Sequence, residues 1–190
     1  MSPWFIARAT GLTAYLAFSI SVVVGLLLSS KLMGKRASKN LTTAHEAFSI
    51  AGFLLIPIHA IAILNDAVFH FTWRALLIPG ASPYAPVAVG AGVVAGWLSL
   101  LVIASFYLRK KIKPRNWRRF HYITPVVYAL MTAHGIMAGS DTSSPAAAAL
   151  YTASIGVTVA LLLYRILVPK PAPKKRARPG EAALDPGARA

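Results

Sequence analysis

This 190-residue chain contains no cysteine. Disulfides, thiolate-bound zinc, cysteine-ligated iron–sulfur clusters and covalent c-type haem attachment are therefore excluded. Charged residues are also scarce, at 13% of the chain, whereas a soluble domain usually has about 25%. Acidic residues are the rarest of these, because 5 Asp and Glu accompany 20 Lys and Arg. The near absence of carboxylates from the apolar segments argues against a proton pump or a cation transporter.

Long apolar segments dominate the rest of the chain. Apolar residues make up 56% of it, and its mean hydropathy is +0.60. Five segments approach or exceed the roughly 20 residues that a membrane-spanning helix needs: 5–28, 44–68, 86–108, 120–138 and 145–168. The sequence therefore predicts an all-α integral membrane helical bundle of about five transmembrane helices, which occupies residues 1–168. Residues 169–190 are rich in proline and basic residues, and we expect them to form a disordered basic tail.

Basic residues are concentrated on one side of the predicted bundle. Four lie between the first and second segments, seven lie between the third and fourth, and seven more lie in or next to the tail. The other side has only Arg8 and Arg74. The positive-inside rule then predicts a multi-pass protein of the cell inner (plasma) membrane with its N-terminus outside and its C-terminus cytoplasmic. Because the basic blocks lie between apolar segments, the net charge of +15 indicates an anionic membrane surface as partner, not nucleic acid.

Four histidines form two pairs with nearly equal spacing. His45 and His59 are 14 residues apart in the second segment, and His121 and His134 are 13 apart in the fourth. Either spacing corresponds to roughly 20 Å of helix, about two thirds of a bilayer core. The predicted topology gives both segments the same direction, so His45 and His121 share a depth near the cytoplasm and the other two share an outer depth. This is the geometry of two six-coordinate haems stacked across a membrane.

A simpler interpretation exists for each histidine. A lone intramembrane histidine can serve only to hydrogen-bond a neighbouring helix, but four at matched depths favour a functional role. His70, at the outer end of the second segment, is expected to be solvated or interfacial. Imidazole binds zinc, copper and iron alike, so a non-redox membrane scaffold or metal-binding protein that uses the same histidines is the alternative function.

Helical phase also needs an explanation. On an ideal helix, 14 residues bring the second histidine back within roughly 40° of the first, whereas 13 residues leave it about 140° away. The fourth segment therefore could not present both of its histidines to one partner as a straight helix. Pro57 and Pro125 lie between the members of the two pairs, and we expect them to correct the phase by kinking or rewinding the helix.

Several motifs resemble the ferric reductase-like transmembrane domain, which is shared by ferric reductases, NADPH oxidases and the haem subunit of the periplasmic methionine sulfoxide reductase system. The matching motifs are Arg8-Ala9-Thr10-Gly11-Leu12 with Tyr15, Arg115-Asn116-Trp117-Arg118-Arg119-Phe120-His121-Tyr122, and His134-Gly135 with Ala138-Gly139-Ser140-Asp141-Thr142. The histidine spacings of 14 and 13 also match those of the two-haem members. The likeness covers about residues 8–168.

The resemblance implies two b-type haems per chain. His45 and His121 would ligate one haem iron at the cytoplasmic level, and His59 and His134 would ligate the other at the outer level. It also places Arg8 beside the outer haem.

Two further arginines are candidates for cofactor binding. Haem propionates are anions that need cations or helix N-termini nearby. Arg118 and Arg119 lie one turn or less before the inner histidine of the fourth segment, where they would hold the inner propionates or serve only as positive-inside anchors.

The chain departs from the family pattern in two ways. Many members have six helices with the ligands on the third and fifth, whereas here they lie on the second and fourth segments. No Rossmann-type glycine fingerprint is present, and only about 22 residues follow the last segment, so no flavin and nicotinamide domain is expected. The predicted function is therefore that of a reductase membrane subunit, which takes electrons from a separate flavoprotein or a quinol. It would pass them across the membrane to an outer acceptor such as ferric iron or a periplasmic protein.

Overall fold

The computed structural model describes residues 2–30, 33–68 and 70–168. Helices hold 83% of the described residues, and no strand occurs among them, which confirms the all-helical prediction. In chain order, the helices of this part of the chain are α1 (Pro3–Ser30), α2 (Lys35–Leu64), α3 (Trp73–Leu77), α4 (Pro86–Ile112), α5 (Pro114–His121), α6 (Thr124–Ala138) and α7 (Pro145–Leu167). The predicted tail, residues 169–190, lies outside the described residues.

Four of the described helices, α1, α2, α4 and α7, are long and apolar enough to cross a membrane. Their 23 to 30 residues correspond to about 35–45 Å, more than the roughly 30 Å of a hydrocarbon core. Large apolar side chains face outward from them, as in Leu54, Val87 and Ile166, which are 59%, 77% and 74% exposed. Such faces suit contact with lipid and not with water. Length and composition are therefore those of an integral membrane protein.

The fourth predicted segment differs from expectation because it is divided. α5 ends at His121, and α6 begins at Thr124 and has only 15 residues, which is about 22 Å of helix. Pro125 explains the break, since it has no N–H to donate to the carbonyl four residues earlier and its ring clashes with that carbonyl. That carbonyl belongs to His121. Four described helices, not five, therefore meet the length of a membrane span.

The second helix begins earlier than the hydropathy predicted. α2 starts at Lys35, whereas the apolar segment starts at residue 44. Lys35, Arg36 and Lys39, which were predicted to lie in a loop, therefore occupy its first turns. Hydropathy marks only the apolar part of a helix, and lysine and arginine are good helix formers.

α1 is the central helix of the bundle. It packs along α2 and also contacts α6 and α7, while α4 packs against α6. The core cluster contains Tyr15, Tyr128, Ala147 and Tyr151. The Tyr15 hydroxyl lies 3.1 Å from that of Tyr128 and 2.7 Å from Ser154 Oγ, so these buried polar groups satisfy one another, as an apolar surrounding demands. This network fixes α6 and α7 against α1, and thereby sets where α6 lies in the bundle.

Candidate functional site

The four histidines form two facing pairs inside the bundle. The ring centres of His45 and His121 are 6.0 Å apart, and the ring planes cross at 78°. The ring centres of His59 and His134 are 6.2 Å apart, with planes at 86°. α2 contributes one ring to each pair, and α5 and α6 contribute the others. These are the same partners that the charge-derived topology predicted.

The break between α5 and α6 removes the difficulty of helical phase. His121 is the last residue of α5, and His134 lies on α6, so the two rings belong to separate helices that can be oriented independently. Pro125 lies in the first turn of α6, where a proline is well tolerated. Pro57, by contrast, lies inside α2, which is assigned as one helix from end to end. The 14-residue spacing alone therefore keeps both α2 histidines near one face.

α1 supplies backbone carbonyls to both histidines of α2. Nδ1 of His59 donates a hydrogen bond to the carbonyl oxygen of Ala7 at 2.7 Å, and Nδ1 of His45 donates one to that of Ser21 at 2.8 Å. A carbonyl oxygen can only accept, so the ring hydrogen lies on Nδ1 and Nε2 keeps its lone pair. This is the tautomer of a metal-ligating histidine whose second nitrogen is fixed by a carbonyl.

α4 holds His134 in the same way. Its Nδ1 donates to the carbonyl oxygen of Ala88 at 2.9 Å, which again leaves Nε2 with the lone pair. The ring lies against Gly92, four residues further along α4, where a Cβ atom would come within 2.5 Å of Nδ1. The absence of a side chain at residue 92 is therefore what lets the imidazole reach the backbone of α4.

Two glycines of α1 have the same relation to the rings of His59 and His45. A Cβ at Gly11 would lie 3.0 Å from the ring of His59, and a Cβ at Gly25 would lie 3.2 Å from that of His45. Each glycine again follows the accepting carbonyl by four residues, a small-x-x-x-glycine spacing that brings helices close together. The two glycines are 14 residues apart, like the two histidines that they face. Each such combination of a backbone carbonyl and a glycine four residues later is called a glycine seat below. α1 therefore carries two glycine seats, and their spacing matches that of the two histidines on α2.

His121 is the exception. Its Nδ1 is buried, and within the described part of the chain it has no hydrogen-bond partner. Its ring packs instead on Trp117, one turn earlier on α5, with ring centres 5.3 Å apart and planes at 33°. The first pair is thus asymmetric, because a carbonyl fixes one ring and an aromatic contact holds the other.

The donor set and geometry fit a haem better than a bare metal ion. A metal between two Nε2 atoms, with bonds of about 2 Å, places the ring centres roughly 6 Å apart, and the observed separations are 6.0 and 6.2 Å. A structural or catalytic zinc site needs three or four protein ligands, and no group of three or more His, Asp or Glu suited to a metal ion occurs among the described residues. A haem supplies the equatorial nitrogens itself, so two imidazoles complete its coordination.

Arg8 lies at the end of the bundle that holds the second pair. It follows Ala7, whose carbonyl holds His59. Its guanidinium forms a two-point ion pair with the carboxylate of Asp141 and stacks 4.0 Å from the ring centre of Trp4. In this structure the guanidinium therefore ties α1 to the segment between α6 and α7, and its predicted role toward an outer haem stays a prediction.

The other cationic candidates are exposed. Arg118 and Arg119 lie on α5 within three residues of His121, and both face solvent. The one ion pair found among the described residues is the Arg8–Asp141 pair. His70 is exposed, lies outside the helices and has a left-handed backbone, with φ of 47°, which agrees with its predicted position away from the paired rings.

Sequence reasoning missed the backbone seats and the contact with Trp117. A signal for the seats was present on α1, where two small-x-x-x-glycine motifs recur with the same 14-residue spacing as the histidines of α2. The contact with the tryptophan had a weaker signal, since an aromatic residue four positions before a histidine is common on any helix.

No family model, curated protein or solved structure matches this chain. The resemblance to the ferric reductase-like domain therefore depends on the motifs quoted for it.

Proposed function

We propose that this chain is a membrane electron-transfer protein that holds one b-type haem between His45 and His121 and a second between His59 and His134. The observation that carries the proposal is the separation of the rings, 6.0 and 6.2 Å, at two levels of one bundle. Haem bound at these levels would supply one-electron chemistry at iron. Two levels along one bundle would give electrons two stations between the faces of a membrane.

The role of the polypeptide would be to orient the imidazoles that hold the two haems. Carbonyl oxygens of Ala7, Ser21 and Ala88 accept the Nδ1 hydrogens of three rings, which aims Nε2 away from the supporting helix and raises its basicity. The neighbouring glycines let the rings pack directly on the backbone. A ring that is held both by a hydrogen bond and by close packing is preorganised for ligation.

The direction of electron transfer is inferred from the distribution of basic residues. The positive-inside rule assigns the level of His45 and His121 to the cytoplasmic side, and α4 and α5 carry a cluster of cations at that end, within residues 109–119. A separate flavoprotein or a quinol would deliver electrons there. The level of His59 and His134 would pass them to an outer acceptor, ferric iron or a periplasmic protein. The chain would accordingly be the membrane subunit of an oxidoreductase.

A metal-binding or scaffolding role without redox chemistry is the competing function. Each pair offers only two donors, which is fewer than zinc requires and enough for haem, so the coordination favours the redox function. An absorption spectrum separates the two. Protein purified from haem-supplemented cells should show a Soret band and the reduced α-band of low-spin b haem. Folded protein that binds zinc or copper instead and shows no Soret band would contradict the proposal.

A further inference from the structure

A column of stacked groups connects the basic surface to the first histidine pair. The guanidinium carbon of Arg109 lies 3.8 Å from the ring centre of Phe106, which is 6.2 Å from that of Trp117. Trp117 in turn lies 5.3 Å from the ring centre of His121. Arg109 also donates to the carbonyl oxygen of Phe106 at 3.2 Å, which holds the outer end of the column in place. The column thus runs without a gap from a charged surface to an imidazole.

The backbone between α4 and α5 makes this column possible. Lys113 separates the two helices and has a positive φ of 68° with ψ of 138°, and Pro114 starts α5. The sharp turn folds α5 back onto the end of α4, so Trp117 meets Phe106. A positive φ at a residue other than glycine costs of order 1–3 kcal/mol, which the surrounding structure must offset.

Two buried ring nitrogens at the inner end of the column lack hydrogen-bond partners within the described residues. Trp117 Nε1 and His121 Nδ1 are inaccessible to solvent and unpaired within the described residues, whereas Nδ1 of each of the other three paired histidines meets a carbonyl. No hydrogen bond therefore fixes the orientation of the His121 ring. The orientation of the His121 ring therefore depends on its packing against the indole of Trp117.

The charge of the surrounding surface indicates which kind of partner would approach Arg109, at the outer end of the column. Seven cations lie within residues 109–119, and the described residues there include no acidic side chain. Lys110, Lys111, Lys113 and Arg115 are exposed. A surface of this kind attracts a negatively charged partner and accelerates its association at low ionic strength.

We propose that Trp117 positions His121 and, with Phe106 and Arg109, forms the electron-input path from a negatively charged flavin donor to the first histidine pair. The proposal rests on the proposed function. In the step proposed, one electron would leave the reduced flavin, which would be oxidised by one electron, and would reduce by one electron the haem iron that His45 and His121 would hold. No covalent bond forms or breaks in this step, and Trp117 is a positioning residue whose own oxidation state does not change.

The positioning role has a spectroscopic test. The EPR signal of a ferric low-spin centre depends on the angle between its two imidazole planes, which is 78° in the first pair. Trp117→Leu should shift the signal of the first centre and leave that of the second unchanged. Trp117→Phe, which keeps an aromatic face but removes the N–H, should restore the first signal. Trp73→Phe, at the opposite end of the bundle and 65% exposed, is the matched control.

The input role is tested by stopped-flow reduction with FMN hydroquinone, a flat and anionic one-electron donor. Trp117→Leu and Phe106→Leu should each slow reduction several-fold, and Phe106→Leu should do so without altering the EPR signal, since Phe106 does not contact His121. Reduction by dithionite at equilibrium should remain complete. If Trp117→Leu loses the first haem while Trp117→Phe keeps it, the positioning role is supported and Phe106→Leu decides the input role.

Two results would contradict the proposed roles of Trp117, Phe106 and Arg109 without contradicting the proposed two-haem function. Unchanged rates in both leucine variants, with both haems present, would remove the input path and leave the two-haem protein intact. An unchanged EPR signal in Trp117→Leu would remove the positioning role. A wild-type protein that binds no haem would instead contradict the proposed function itself.

Discussion

The ring of His134 lies directly against Gly92, in space that any side chain at that position would occupy. A Cβ atom built there comes within 2.5 Å of Nδ1 and 2.7 Å of Cγ of the imidazole. The contact is the tightest of the three glycine seats, since the corresponding distances at Gly11 and Gly25 are 3.0 and 3.2 Å. The second pair is therefore the one that is most sensitive to a methyl group on the supporting helix.

Gly92→Ala should displace His134 and remove the haem of the second pair. Overpacking of this kind costs about 1–3 kcal/mol, and the displaced ring would also lose the carbonyl of Ala88. Haem content and thermal unfolding measure the two effects. Gly96→Ala, one turn further along the same helix, is the control because a Cβ there meets nothing within 4 Å. Equal haem content in the two variants would show that the seat is not required.

The two levels should be separable by mutation. His45→Ala or His121→Ala should remove the haem at the first level and stop electron flow from a cytoplasmic donor. His59→Ala or His134→Ala should remove the second haem and leave the first reducible. His70→Ala should leave haem content unchanged. Redox titration of each variant followed by absorbance distinguishes the levels, and identical spectral losses in His45→Ala and His59→Ala would contradict the pairing by depth.

The contributions of Arg8 and Asp141 to stability should be coupled, because the two side chains form an ion pair. Both side chains are partly buried, with 33% and 23% exposure, and a charge-assisted bidentate contact in this setting corresponds to roughly 1–2 kcal/mol of coupling in a double-mutant cycle. Arg8→Gln, Asp141→Asn and the double variant should therefore lower thermal stability by similar amounts. Strictly additive losses would argue against the pair. A shift in the midpoint potential of the second haem in Arg8→Gln alone would instead favour the predicted contact with a propionate.

Removing surface charge near the first pair should slow its reduction by an anionic donor. The variant with Lys110, Lys111 and Lys113 replaced by Gln should be reduced by FMN hydroquinone roughly tenfold more slowly at low salt, because electrostatic steering of this kind accelerates association by 10-fold or more. Raising the ionic strength should shrink the difference. A rate that is unchanged and independent of salt would point to a quinol donor within the membrane.

The pairing of the histidines could be predicted from sequence because it depends on local quantities. Apolar run length places His45 and His121 on separate segments, and the asymmetry of lysine and arginine gives those segments the same direction. The glycine seats follow a regular spacing and were visible in principle. The sequence also contains the reason why His121 and His134 can face the same partner helix, since Pro125 lies between them and marks the point at which the helix is divided.

Other parts of the site depend on contacts between residues far apart in the chain. Arg8 and Asp141 are 133 residues apart, and nothing local to either residue specifies the other. The short length of α6 follows from the break after His121, which hydropathy averages out because residues 120–138 are predominantly apolar. The unpaired Nδ1 of His121 is likewise a property of packing, because nothing in the sequence around His121 specifies whether a carbonyl lies near that nitrogen.

The number of haems per chain tests the two-site account most directly. Two ligand pairs at two levels imply about two b haems per polypeptide. A pyridine haemochrome assay on fully loaded protein, with the polypeptide quantified by amino-acid analysis, should therefore approach that ratio, and His134→Ala should lower it to about one. A ratio near one in the fully loaded wild type, or none, would contradict the account.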